Sequence, residues 1–182
     1  MATYRREAEF QRYAQIRGDA YATVRRALQR DPSIPVVLKS IESRALRKWR
    51  VTWIPYFTGA RDEGEWNWDL ISAEYLRQPA AFHLAIWSGT VLCGMAAGRP
   101  SVSHRRLTVH WVEGCPDPAH PLKGQILSLA LAAATAYAHA LGSTTLRLSD
   151  PAPALIEDYL SAGFGLVYLG RAVRYCERRI RS

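Results

Sequence analysis

The chain predicts an α/β fold of the mixed α+β kind: a mixed, mostly antiparallel sheet flanked by helices, with a helical extension at the N-terminal end. Three observations carry this expectation. From residue 82 onward, short runs read as strand, strand, strand, helix, strand, helix, strand, strand, so hairpins give way to strand–helix–strand units. The segment 124–141 is nearly all Ala and Leu, which suits a helix buried on most sides and crossing right-handedly between parallel strands. The first 30 residues instead repeat apolar side chains at helical spacing.

In order, residues 3–30 place Phe10, Tyr13, Ile16, Ala20, Val24 and Ala27 at three- and four-residue steps, and Asp31-Pro-Ser-Ile-Pro ends the helix because the residue before a proline disfavours helical backbone. Val37, Leu38, Ile41, Leu46 and Trp49 predict a second helix over 36–49. Residues 51–57 are β-branched and aromatic and predict a strand that Pro55 confines to an edge or end. Thr58 to Glu65 predicts a loop, and 67–77 a short helix with Trp68, Leu70, Ile71 and Tyr75. Phe82-His-Leu-Ala-Ile-Trp and Val91 to Gly98 flank a Ser88-Gly-Thr turn, a hairpin pattern. Leu107 to Val112 alternates as a third strand, with His110 on the face opposite Trp111 and Glu113 if the strand is regular. After the 124–141 helix and its Gly142 cap come a strand at 144–148, a helix at 154–162 and strands at 166–168 and 172–176.

Composition narrows the class. The chain has 182 residues, 48% apolar and 22% charged, with three cysteines too far apart for a disulfide framework or a metal knuckle. The scattered histidines form no metal pair, so no metal is expected. No run is long and apolar enough for a bilayer, and residues 1–7 lack the apolar core of a secretory leader, so a soluble cytoplasmic protein without a membrane partner is expected. The charge is uneven: residues 1–50 hold 12 basic and 5 acidic residues, hence +7 of the total +8. That asymmetry makes residues 1–50 a candidate nucleic-acid contact, or simply an arginine-rich solvated face. The expected division is a basic helical extension, 1–50, packed on a core domain, 51–182.

The strand ending near Val112, the Pro/Gly-rich loop and the helix starting at Gly124 form a candidate anion site. A helix leaves its first N–H groups unpaired, its dipole adds positive charge there, and glycine lets backbone approach a phosphate. The amides of Leu122, Lys123, Gly124, Gln125 and Ile126 are the expected donors, with Lys123 adding a formal charge, and the reading depends on those nitrogens being unengaged.

Tyr159-Leu-Ser-Ala-Gly163-Phe164, Pro121-Leu-Lys-Gly124-Gln-Ile126 and the order of elements over 82–176 resemble the GNAT superfamily of N-acetyltransferases. In that family the penultimate helix ends in tyrosine-x-x-x-glycine-phenylalanine, and the pyrophosphate loop reads Arg/Gln-x-x-Gly-x-Gly/Ala. Gly124 matches; Pro121 and Ile126 depart from the pattern, and Asp150-Pro-Ala-Pro stands where an asparagine is frequent. Residues 1–66 do not read as the usual strand and two helices that begin this fold. The resemblance implies a divergent GNAT member that uses acetyl-CoA as co-substrate and acetylates a primary amine directly, with a candidate homodimer as assembly. The acceptor stays open among a small molecule, a protein amine and aminoacyl-tRNA. The family binds it between the early helices and the last hairpin.

The same resemblance implies site residues. Tyr159 matches the general acid that protonates the departing thiolate, and a backbone N–H of the central strand, near Val112, would stabilise the oxyanion. For the base, Glu113 lies where some members carry a glutamate, its pKa raised if Trp111 surrounds it with apolar groups. His110 has the unperturbed pKa closest to neutrality, and His120 adjoins the phosphate loop. Cys115 lacks a recognisable partner for a nucleophile. Trp49, Trp53, Trp66 and Trp68 read as core between helix and sheet, or as an acceptor pocket with Tyr56 and Phe57. The arginines at 171, 174, 178, 179 and 181 make the last strand basic. The alternative function is a non-catalytic module of the same shape, binding nucleic acid or protein through its basic helices.

Overall fold

The computed structural model describes residues 2–28, 35–59 and 65–180. The predicted helix end at Asp31, part of the predicted 58–65 loop and Arg181 lie outside them. The elements are α1 (Ala2–Leu28), β1 (Val37–Lys39), α2 (Ser43–Thr52), α3 (Trp68–Tyr75), β2 (Phe82–Ser88), β3 (Val91–Pro100), β4 (Arg106–Gly114), α4 (Ile126–Ala140), β5 (Thr145–Ser149), α5 (Ile156–Ser161), β6 (Gly165–Leu169) and β7 (Ala172–Arg179). The seven strands order as β1-β2-β3-β4-β5-β7-β6. Among the described residues only the central β4–β5 pair is parallel.

Two expectations for the early chain are corrected. The helix predicted over 36–49 starts only at Ser43, because Val37-Leu-Lys39 is extended and pairs antiparallel with Ala85–Trp87 of β2. The strand predicted over 51–57 is instead the end of α2 followed by a 3-10 turn at Ile54–Tyr56. Trp49 and Trp53, four residues apart, both bury their indoles, so packing one face of a helix overrides β-propensity there. Residues 37–75 therefore do supply a strand and two helices ahead of β2, contrary to the reading of 1–66. Residue 50 lies inside α2, and β1 belongs to the sheet.

The sheet separates two apolar layers. On one side Phe82, Leu84, Ile86, Leu107, Val109 and Leu146 pack under α4 and the Ala20, Tyr21 and Val24 stripe of α1. On the other, Trp49, Trp53, Trp68, Ile71, Tyr75, Trp87 and Met95 fill the space beneath α2 and α3. Most of the tryptophan cluster is thus core. Burying a large apolar side chain contributes about 2–3 kcal/mol, so both layers hold the sheet strongly. Helix α1 lies across α4 and contributes more than apolar contact. Arg17, one of the basic residues of the first fifty, is buried and donates to the carbonyls of Pro79 (2.7 Å) and Ala81 (3.0 Å), and the Tyr21 hydroxyl donates to His83 O (2.8 Å). Arg5, Arg6, Arg12, Arg25 and Arg26 are exposed.

Strand β4 changes partners along its length. Arg106–Val109 pair with Thr145–Leu148 of β5, and there the ladder ends, while β4 continues against β3 to Gly114. At the same point the β3–β4 register slips: Gly98 faces Val109, but Ala97 faces Trp111, leaving His110 as the extra residue of a bulge. Gly98 is required by this close approach, since a Cβ there would run into the Thr108 carbonyl oxygen and lie 2.8 Å from Val109 Cα.

Candidate active site

Where β5 leaves β4, a cleft of about 580 Å³ opens. Its walls are the stretch of β4 that no longer pairs with β5 (His110, Trp111, Val112, Gly114), the end of β5 with Asp150 just beyond it (Leu148, Ser149, Asp150), the first turn of α4 and the buried side of α5 with Tyr159. The sequence places these pieces apart; the parting of the parallel strands brings them together.

The α4 end of the cleft is built by two successive turns. Lys123 N–H donates to His120 O (3.2 Å), Gln125 N–H to Leu122 O (3.0 Å), and Leu122 N–H to His120 Nδ1 (3.3 Å). Three of the five expected anion donors are therefore spent inside the loop. Leu122 is fully buried in the core, and Lys123 and Gln125 are exposed and are not among the residues that line the cleft. Gly124 and Ile126 do line it, joined by Leu127 and Ser128, which the sequence reading left out. Among the described residues, the N–H groups of Gly124, Ile126, Leu127 and Ser128 carry no intramolecular bond, as the first turn of a helix requires. Gly124 has φ +78°, a conformation that glycine adopts without strain. His120 is buried at this end, and burial lowers its pKa, so its ring is neutral.

The opposite wall explains the Tyr159–Phe164 motif physically. Phe164 N–H donates to Tyr159 O (3.0 Å) and Gly163 N–H to Leu160 O (2.9 Å), with Gly163 at φ +82°. This is a Schellman cap: the glycine ends α5 and turns Phe164 back into the core, which holds Tyr159 buried against the cleft.

The bulge sets the two base candidates in different surroundings. It breaks the alternation of β4, so His110 lies with Trp111, not opposite it: its ring is 5.4 Å from that of Trp111 and 6.2 Å edge-on from Tyr75. His110 Nδ1 is 3.0 Å from Ser149 Oγ at the mouth of the strand opening. Burial, reinforced by the positive charge of Arg99, lowers its pKa, so the imidazole is neutral near pH 7 and able to accept a proton. Glu113 is also buried but does not line the cleft. Its Oε1 accepts from the N–H groups of Glu65 (2.5 Å) and Trp66 (3.4 Å), and its Oε2 from the Trp68 indole (2.5 Å). Burial raises its pKa to about 6 against the pull of those donors. The surroundings that raise it are the α3 side of the core rather than Trp111 alone, and its carboxylate ties the entry of α3 to β4.

Of the remaining expectations, Trp66 is partly buried and lines the cleft, while Asp150 sits there with φ +43°. Cys115 is half-buried with its thiol pKa raised by burial, the reverse of an activated nucleophile. Arg178 is committed to structure, donating to Ala162 O (2.7 Å) and Thr135 Oγ1 (2.8 Å). Among the described residues no cluster of His, Cys, Asp or Glu could hold a metal, and no helix is long and apolar enough to cross a membrane.

No protein-family model matches the chain, and no curated protein matches it by sequence. Solved structures do match. An acetyltransferase of the GNAT family from Staphylococcus aureus Mu50 superposes with TM-score 0.60 over 81% of this chain and 100% of its own, at 9% identity. The chain has the GNAT fold. The ribosomal-protein-S18-alanine N-acetyltransferase of Escherichia coli matches at TM-score 0.58 and 15% identity, covering 81% of this chain and 96% of that one. The PaiA N-acetyltransferase of Thermoplasma acidophilum, solved with coenzyme A, matches at 0.54 and 12%, covering 80% and 99%.

Proposed function

We propose that the protein is an acetyl-CoA-dependent N-acetyltransferase acting on a primary amine by direct transfer. The observation that carries this is the meeting, in one cleft, of a strand opening, four unengaged amides at a helix start, a neutral histidine and a buried tyrosine. The fold supports the reading, and a cleft of about 580 Å³ is within the range of small-molecule sites.

In this reading the amides of Gly124, Ile126, Leu127 and Ser128 hold the pyrophosphate, with Lys123 nearby adding charge. The backbone of β4 beyond Val109, including Val112, holds the pantetheine arm and offers an N–H to the carbonyl oxygen as it gains charge. The co-substrate supplies an activated acyl group. His110 takes the proton from the incoming ammonium so that the nitrogen lone pair is available, and its bond to Ser149 fixes the ring. Tyr159 gives its proton to the thiolate that departs. Glu113 has a positioning role, keeping the far half of β4 in place.

Isothermal titration with acetyl-CoA and with CoA tests the reading. Saturable binding of both is expected, and no heat and no thermal shift at millimolar ligand would reject it in favour of a binding module of the same shape.

A further inference from the structure

On the sheet face opposite α4 lies a second cavity, of about 320 Å³. Arginines from three adjacent strands line it: Arg99 of β3, Arg106 of β4 and Arg147 of β5, with Tyr175 of β7 at one side. His110 and Ser149 line both this cavity and the cleft, so the two meet at the proposed base. If the acyl donor fills the cleft, this cavity is the approach left for the amine.

The charges along that approach are unequal in their pairing. Arg147 is paired with Glu177 (2.9 Å) and lies 3.6 Å over the Tyr175 ring; Arg99 is paired with Glu74 (3.4 Å). Arg106 has no ion pair among the described residues, and its Nε is buried without a hydrogen bond. No acidic residue lines the cavity among the described residues. A part-buried guanidinium left without a carboxylate is an electrostatic vacancy for an oxyanion, which it can bind by charge-assisted hydrogen bonds. A polycationic amine would meet three guanidinium groups in the lining, and the carboxylates nearest them, Glu74 and Glu177, are already paired to Arg99 and Arg147.

We propose that the acceptor is an amine carrying its own oxyanion, a carboxylate or a phosphate, and that Arg106 receives that group. The proposal rests on the acetyl-transfer reading for its purpose, but the anion site can be tested apart from it. Four small probes separate the possibilities: β-alanine, 2-aminoethyl phosphate, ethanolamine and spermidine, each titrated calorimetrically into protein saturated with CoA. The two amines that carry an oxyanion are expected to bind at least about tenfold more tightly than the other two, the worth of one charge-assisted contact. Whichever of the pair binds better tells carboxylate from phosphate. Arg106→Gln should erase the preference and leave CoA binding unchanged, while Arg106→Lys should keep part of it. Equal binding of all four probes, a preference for spermidine, no binding by either oxyanion-bearing amine, or an Arg106→Gln protein that keeps the preference would each overturn the proposal. Should Arg106→Gln not fold, the ranking by the native chain decides alone. Should CoA itself fail to bind, the transfer reading falls, and the same titrations into the ligand-free protein still decide whether Arg106 holds an oxyanion.

Discussion

The two halves of β4 are one continuous strand with opposite duties. Arg106–Val109 are zipped between β3 and β5, with Leu107 and Val109 buried in the aliphatic layer under α4. His110–Gly114 have β3 on one side and the cleft on the other. A sheet stabilises by completing its ladders, and this one leaves a ladder incomplete at its centre, where backbone polar groups then face a cavity. The difference teaches that the cleft is created by an interruption of regular pairing, fixed in place by one extra residue beside Gly98.

The comparison can be broken most forcefully at His110. On the proposed mechanism His110→Ala lowers kcat by about a hundredfold or more while acetyl-CoA affinity and the unfolding midpoint stay nearly unchanged. Steady-state kinetics beside calorimetry checks this, and retained turnover would hand the proton to another group. Next is the joint between the halves. Gly98→Val forces a side chain into the Thr108 and Val109 backbone and should cost about 3 kcal/mol, read as a lower urea midpoint. A variant of native stability would mean that the bulge is not pinned there.

The third test addresses the anchor of the open half. The Glu113 carboxyl ionises at about 6 when folded against about 4.5 as a free group, so the folded chain holds an extra proton between those values. Its stabilising contribution is full below about 4.5 and is lost as pH rises through 6, by about 2 kcal/mol. The fall in stability from pH 4.5 to 7 should therefore be about that much shallower in Glu113→Gln than in the native chain; equal slopes would assign the titration elsewhere. The smallest effect is across the cleft: Tyr159→Phe should slow turnover about tenfold with unchanged acetyl-CoA affinity. Full activity would leave Tyr159 a packing residue of α5.

Much of this was legible in the residues. The hairpin from Phe82, the Ala/Leu crossover helix and the Gly163 cap are each dictated by local chemistry that tertiary structure then respects. The bulge was not, because alternation counts residues and one insertion inverts every side chain beyond it; the only visible hint was Gly98, a glycine inside an apolar strand. Val37-Leu-Lys39 was too short to show a period, and the four-residue spacing of Trp49 and Trp53, a signal for a helix through both, was outweighed in the reading by the β-branched and aromatic content of 51–57. Which loop amides are free could not be read at all, since His120 to Gln125 satisfy one another through turns that depend on the fold.

Helix α1 packs against α4 through the Ala20, Tyr21 and Val24 stripe, while the buried guanidinium of Arg17 ties α1 to the Pro79 and Ala81 carbonyls just ahead of β2. The amides at the front of α4 and the clasp at its back thus share one rigid rod. Any free energy by which an occupant of the cleft steadies that rod must also tighten the clasp, and by an equal amount in reverse. Amide exchange along the first 28 residues is accordingly a remote gauge of what sits in the cleft.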